Sequence, residues 1–206
     1  MIISHSNEKY KRPSKVSKWN GAYYYSEEIV KNIIPRVKTD RNWVTINCNE
    51  AADHSIVFVH NNLHPEHYDY LKGYKDIILV VGVPETAPKM AHLGKVIYLP
   101  LSVDVEYVKK FKHEKDKDLC FVGRPSKFEG TKAIGDYIGG VPREELLERL
   151  AHYKQTYAVG RCAIEARILG CEVLPYDPRF SNPALWTIID NKEAAAILQH
   201  ELDVIE

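Results

Sequence analysis

The residues best suited to chemistry in this 206-residue chain cluster between positions 120 and 177. Gly160-Arg161-Cys162-Ala163-Ile164-Glu165 sets a guanidinium four residues ahead of a carboxylate, one turn apart if the segment is helical. A carboxylate near the start of a helix can accept both hydroxyls of a diol such as a ribose. Arg161 can lock Glu165 in an i,i+4 pair, or it can face phosphates instead. Upstream, Gly123-Arg124 follows the apolar run Leu119–Val122, and Lys127 and Lys132 come shortly after. Cations just beyond a strand suit phosphate groups, because ligands of α/β sheets bind outside the carboxyl ends of the strands.

The first half of the chain offers a second set. His60 closes the run Val57-Phe58-Val59 and is followed by Asn61 and Asn62, which puts three polar side chains at a carboxyl edge. Gly21, in Asn20-Gly21-Ala22, precedes the first helical pattern and is either a point of close backbone approach to a ligand or a plain turn. Two metal-like patterns carry less. His60, His64 and His67 with Glu66 are interrupted by Pro65, which breaks a helical register between them. Asp116-Lys117-Asp118 sits in a charged run rather than at the end of an apolar strand. No metal is expected. Tyr23-Tyr24-Tyr25 reads as a half-buried helix start.

The elements that must position these residues alternate. Strand-like runs cover Met1–Ser4, Trp43–Asn47, Ser55–His60, Asp76–Val83, Lys95–Leu101, Leu119–Gly123, Asp136–Ile138, Thr156–Val159 and Glu172–Tyr176. Helical patterns cover Ser26–Val37, Pro65–Leu71, Val105–Phe111, Pro142–Tyr153, Arg161–Leu169 and Asn191–Val204. Ile77-Ile78-Leu79-Val80-Val81 is apolar throughout, as a strand buried on both faces of a parallel sheet must be. Such alternation predicts a doubly wound α/β fold. The run Lys112–Asp118 is the expected boundary between an N-terminal lobe, 1–112, and a C-terminal lobe, 119–206.

Composition closes off several classes. Lys plus Arg number 28 and Asp plus Glu 28, so no net charge draws the chain to nucleic acid or an anionic membrane. No apolar stretch approaches the roughly 20 residues of a membrane helix. Met1-Ile2-Ile3 runs into polar Ser4-His5-Ser6-Asn7 without the apolar core of a signal peptide. Cys48, Cys120, Cys162 and Cys171 lack the density of a disulfide framework. The expectation is a cytoplasmic chain with reduced thiols.

Three segments together resemble the GT-B glycosyltransferases, nucleotide-sugar enzymes built from two Rossmann-like domains. Val96-Ile97-Tyr98-Leu99-Pro100-Leu101-Ser102-Val103-Asp104 is similar to the strand and Pro-x-Gly-Val-Asp turn that closes the family's N-terminal domain. Cys120-Phe121-Val122-Gly123-Arg124 is similar to the Val-Gly-Arg strand that opens the C-terminal one. Gly160–Ala166 followed by Gly170-Cys171-Glu172-Val173-Leu174-Pro175 resembles the helix and strand at the donor site. The resemblance implies two small Rossmann-like lobes with parallel sheets, and transfer of a sugar from a nucleotide diphosphate-sugar to an acceptor it does not specify. It implies a retaining, metal-independent reaction with no cofactor. Arg124 with Lys127 or Lys132 would neutralise the diphosphate, Glu165 would hold the ribose, and His60 would contact the sugar or assist deprotonation of the acceptor.

The chain departs from the family pattern at several points. It is about half the usual length, Tyr157 stands at the first position of the family's Glu-x7-Glu motif, Glu129 precedes Gly130 where a lysine is usual, and Ser102 replaces the turn glycine. A catalytically degenerate module that binds a nucleotide or nucleotide-sugar, acting as a regulatory, sequestering or partner subunit, is therefore the alternative. The short cleft leaves room for a homo-oligomer.

Overall fold

The computed structural model describes residues 1–4, 21–45, 50–60, 64–123 and 135–205. They form two compact units, Met1–Pro100 with Asn191–Glu206, and Leu101–Asp190. Each is an α/β layer built on an all-parallel sheet, the arrangement of a Rossmann-like fold.

The sheet of the first unit contains β1 (Ile2–Ser4), β2 (Asn42–Val44), β3 (Ser55–Val59), β4 (Ile77–Val81) and β5 (Lys95–Tyr98), side by side in chain order. All ten residues of β3 and β4 are buried, which accounts for their unbroken apolar sequence. On one face Val57, Val59, Leu79 and Val81 pack with Tyr68 and Leu71 of the 3-10 helix Pro65–Gly73 and with Met90 of α2 (Ala87–Met90). On the other, the rings of Trp43 and Phe58 stack with centroids 6.3 Å apart. The strand expected to be buried over Lys95–Leu101 is instead a short edge strand, in which only Ile97 is buried.

The helix expected over Ser26–Val37 is a composite. The α-helix α1 (Gly21–Glu28) widens into a π turn, Ile29–Ile33, and tightens into a 3-10 turn, Ile34–Arg36. Pro35 is the reason. It has no N–H to donate, and its ring would strike the carbonyl four residues back, so the regular ladder cannot pass through it. Ile29 and Ile33 still form the buried face. Ser26 is no cap. It lies inside the helix, and its hydroxyl shares a 2.9 Å hydrogen bond with that of Thr45. The helix α6 (Asn191–Ile205) returns to this unit, where Asn191 Nδ2 donates to Glu28 at 3.0 Å and Gln199 accepts from the Lys38 N–H at 2.6 Å.

The second unit holds β6 (Ser102–Val103), α3 (Val105–Lys109), β7 (Lys117–Val122), β8 (Asp136–Ile138), α4 (Arg143–Ala151), β9 (Tyr153–Tyr157), α5 (Arg161–Ile168), β10 (Glu172–Leu174) and β11 (Ile189–Asp190). Its main sheet has the order β10-β9-β7-β8, and β6 pairs with β11. The expected boundary at Lys112–Asp118 lies inside this unit. Lys115 Nζ donates to the Ala151 carbonyl at 2.7 Å, and the His152 carbonyl accepts from the N–H groups of Asp116 and Lys117, both at 3.1 Å. The charged run is thus fastened to the end of α4 and leads directly into β7.

A charged cluster joins the amino ends of β2, β3 and β4. His54 Nδ1 donates to Asp76 at 2.5 Å and its Nε2 donates to Asp40 at 2.8 Å, while Arg41 pairs with Asp76 at 3.0 Å. Both ring nitrogens meet acceptors, so the imidazolium form is favoured and the pKa of His54 rises above 6.5, through the bond to Asp40 first and that to Asp76 next. The His54 bond holds the carboxyls of Asp40 and Asp76 below their ordinary value. A raised histidine pKa gives stability that is complete below its unfolded value and is lost as pH rises through its folded value. The first unit is therefore expected to lose stability as pH rises above the ordinary histidine value of 6.5, and His54→Gln to flatten that slope. Denaturant titrations at several pH values read the effect, which is small and diminished by salt because the groups face solvent.

Candidate functional site

The order of the second sheet reverses at β7. From β7 the chain passes to β8 on one side, then returns to β9 on the other. In an open α/β sheet that reversal marks where the loops leaving two neighbouring strands part, and a ligand crevice opens outside their carboxyl ends. The neighbours here are β7 and β9, in register through Phe121 and Tyr157.

Both strands leave the sheet through glycine. Gly123 follows β7 with φ +135°, and Gly160 precedes α5 with φ +64°. Among the described residues, a Cβ at either position would meet nothing within 4 Å. Backbone conformation, not crowding, demands glycine at both, and the space beside each is open. Because α5 starts at Arg161, the amino-terminal, positive end of that helix lies at this edge.

Arg161 and Glu165 form the expected i,i+4 pair, at 3.5 Å, but in the interior rather than on the surface. Arg143, the first residue of α4, also reaches Glu165, at 2.8 Å. The three side chains are 13%, 10% and 5% exposed in the order Arg143, Arg161, Glu165. The same carboxylate oxygen meets both guanidiniums, so the cluster carries one net positive charge. Arg143 lies over the ring of Tyr107, 5.9 Å from its centroid, and the Tyr107 hydroxyl donates to Glu144 at 3.0 Å. Burial, with the bond to Glu144 behind it, pushes the Tyr107 phenol up. The cluster joins α3, α4 and α5. Sequence reasoning missed Arg143, because only the packing of α4 on α5 brings it to Glu165, and no spacing encodes that contact.

A second arginine pair lies just beyond β10. Arg179 Nε and Nη2 donate to Asp177 at 2.8 and 2.6 Å, and the Arg179 N–H adds a third bond to the same carboxylate. Asp177 is buried and Arg179 half exposed. Aromatic rings line one face of the sheet. Phe121 is in register with Tyr137 and with Tyr157, and Tyr176 packs edge-on against Phe121, at 5.8 Å, and against Tyr157.

Of the residues expected at the site, Gly123 follows β7 at this edge, Arg161 opens α5 there, and Glu165 lies one turn further along α5. Arg124, Lys127 and Lys132 lie outside the described residues, as do Asn61, Asn62 and Cys48. His60 and Gly21 belong to the first unit. His60 follows β3 at its carboxyl end as expected, but its Nε2 donates to the Thr45 carbonyl and its N–H donates to the Tyr68 hydroxyl at 2.8 Å. Its ring also packs edge-on against Tyr25. The imidazole ties the ends of β2 and β3 together, with its Nε2 proton engaged there. Gly21 is the first residue of α1 rather than part of a loop before it.

Among the described residues, no group of three or more His, Cys, Asp or Glu is arranged to hold a metal ion. Asp116 and Asp118 flank the start of β7, away from the crevice, and pair with His152 and Lys154. Cys120 is buried against the Thr156 hydroxyl, and burial pushes its thiol up to about 12. No described helix is long and apolar enough to cross a membrane. Comparison with protein-family models gives no match, and comparison with curated proteins gives none either.

Truncating Glu165 would remove the buried carboxylate that the Arg143 and Arg161 guanidiniums share. Glu165→Ala is expected to cost about 3–5 kcal/mol, read as a lower urea midpoint at unchanged slope.

Proposed function

We propose that the chain is a compact glycosyltransferase of GT-B type, which moves a sugar from a nucleotide diphosphate-sugar to an acceptor, and that its second unit holds the donor. The observation that carries this reading is the reversal of strand order at β7, with Gly123 and Gly160 opening space at neighbouring carboxyl ends and α5 starting there on Arg161. Helix-terminal N–H groups and a guanidinium are what a diphosphate leaving group requires, since the charge that develops on it must be met by donors already in place. Arg124 adjoins Gly123 in sequence and would add a second cation, with Lys127 or Lys132 a third. Glu165 aims and fixes the guanidiniums, in addition to any contact with the ribose. The proposed setting is the cytoplasm.

One set of observations favours a second reading, a module that binds the nucleotide without turning it over. The Glu165 carboxylate is occupied by two arginines, Tyr157 holds the position of a family glutamate, and the His60 Nε2 proton is engaged by a backbone carbonyl.

Thermal melting of the full chain against uridine, guanosine and adenosine diphosphate-sugars tests both. A ligand that binds only the folded state raises Tm, by an amount that grows with the logarithm of its concentration once that exceeds Kd. The expected result is a rise with one of these donors, with affinity weakened at least about tenfold in Arg161→Ala and in Arg124→Ala. Each variant is compared with its own unliganded melt. No rise with any donor would overturn the assignment. Release of the nucleoside diphosphate from the bound donor would establish transfer or hydrolysis, and binding without release would leave the second reading standing.

A further inference from the structure

Tyr137 is the last but one residue of β8, next to β7 at the reversal. Its side chain is not folded into the core. It is 47% exposed, although it stacks on the buried ring of Phe121 with centroids 5.9 Å apart and planes at 21°. The phenol hydroxyl donates to the Gly123 carbonyl at 2.9 Å, so the ring reaches to the very residue at which β7 leaves the sheet. Gly139 makes room for it. A Cβ there would fall 2.1 Å from the Tyr137 hydroxyl oxygen and 2.8 Å from the Gly123 carbonyl oxygen. Phe121 is in turn held by Tyr176, edge-on at 5.8 Å, so the exposed ring has a rigid aromatic layer behind it.

A large exposed ring with a fixed plane beside an open crevice has a simple chemical use. Flat π systems attract one another in offset stacks, and a platform already held in place loses little freedom when a second ring settles on it. Every nucleobase offers such a face, whichever hydrogen-bonding edge it carries. We infer that Tyr137, backed by Phe121, is the stacking platform for the nucleobase of a nucleotide held at the β7–β9 edge. This inference rests on the nucleotide-binding reading proposed above and adds the group that would receive the base, which that reading leaves unassigned. The Tyr137–Gly123 bond then couples the base platform to the backbone at the phosphate end.

The test is calorimetric titration of the full chain and its variants with uridine, guanosine and adenosine diphosphates, and with inorganic pyrophosphate, which has the charges but no base. Tyr137→Ala is expected to weaken the preferred nucleoside diphosphate roughly 10- to 100-fold and to leave pyrophosphate unchanged. Tyr137→Phe, which keeps the ring, retains the affinity. Tyr137→Trp also retains it and adds an indole emission, over the parent background, that the nucleotide quenches and pyrophosphate does not. Equal affinity for the nucleoside diphosphate in Tyr137→Ala and the parent would overturn this inference alone. Loss of nucleotide and pyrophosphate affinity together would also overturn it, because the side chain would then only prop the Gly123 turn. If the parent chain binds no nucleoside diphosphate, the functional reading falls and this inference with it.

Discussion

Parallel strands impose one condition from which most of this architecture follows. Two neighbours running the same way cannot be joined by a tight turn, so each pair needs a crossover that returns the chain to the starting edge. All carboxyl ends therefore collect on one side of each sheet, and every connection leaving them begins there. In the second unit that condition places Gly123, Gly160 and the start of α5 at one edge although 37 positions separate the two glycines. The order β10-β9-β7-β8 adds the reversal that spreads the connections apart. In the first unit the strands follow chain order, and the carboxyl ends of β2 and β3 are closed by His60 and its bonds to Thr45 and Tyr68.

The two charged clusters show how burial changes what ion pairs accomplish. Around His54 the imidazole and both carboxylates face water, although Arg41 beside Asp76 is buried, so the histidine pairing is weak, sensitive to salt and tied to the titration of an imidazole. Around Glu165 the partners are enclosed, and the energetic content lies in what happens when one is removed. A carboxylate sunk beneath two guanidiniums fixes where α4 and α5 begin relative to one another.

Much of this was legible in the sequence, for identifiable reasons. Continuous apolar runs such as Ile77–Val81 declare strands covered on both faces, and Gly160-Arg161 declares a turn into a helix. The i,i+4 pairing of Arg161 with Glu165 follows from helical spacing alone. Contacts between elements were not legible. Arg143 reaches Glu165 only through the packing of α4 on α5, and Lys112–Asp118 resembles a linker because its anchors, Ala151 and His152, lie far along the chain. Lys95–Tyr98 has the composition of an interior strand, and only the sheet order makes it an edge. Pro35 rules out a regular helix through Val37, but nothing in its position specifies that a π turn with Ile29 and Ile33 buried absorbs the break.

The return of α6 to the first unit has a consequence for how the chain is made. Leu198 and Leu202 of α6 are fully buried there, and its side chains bond to Glu28 and Lys38, residues that leave the ribosome long before it. The whole of Leu101–Asp190 is synthesised in between. That segment starts and finishes on neighbouring strands, with Ser102 paired to Ile189 and Val103 to Asp190, so it can complete its fold as a self-contained insertion. The turns Ile29–Ile33 and Ile34–Arg36, although translated first, must wait without their α6 neighbour until the insertion has emerged. Order of synthesis and order of completion are reversed in this protein, and the first unit lacking α6 is the stage of biogenesis most exposed to aggregation.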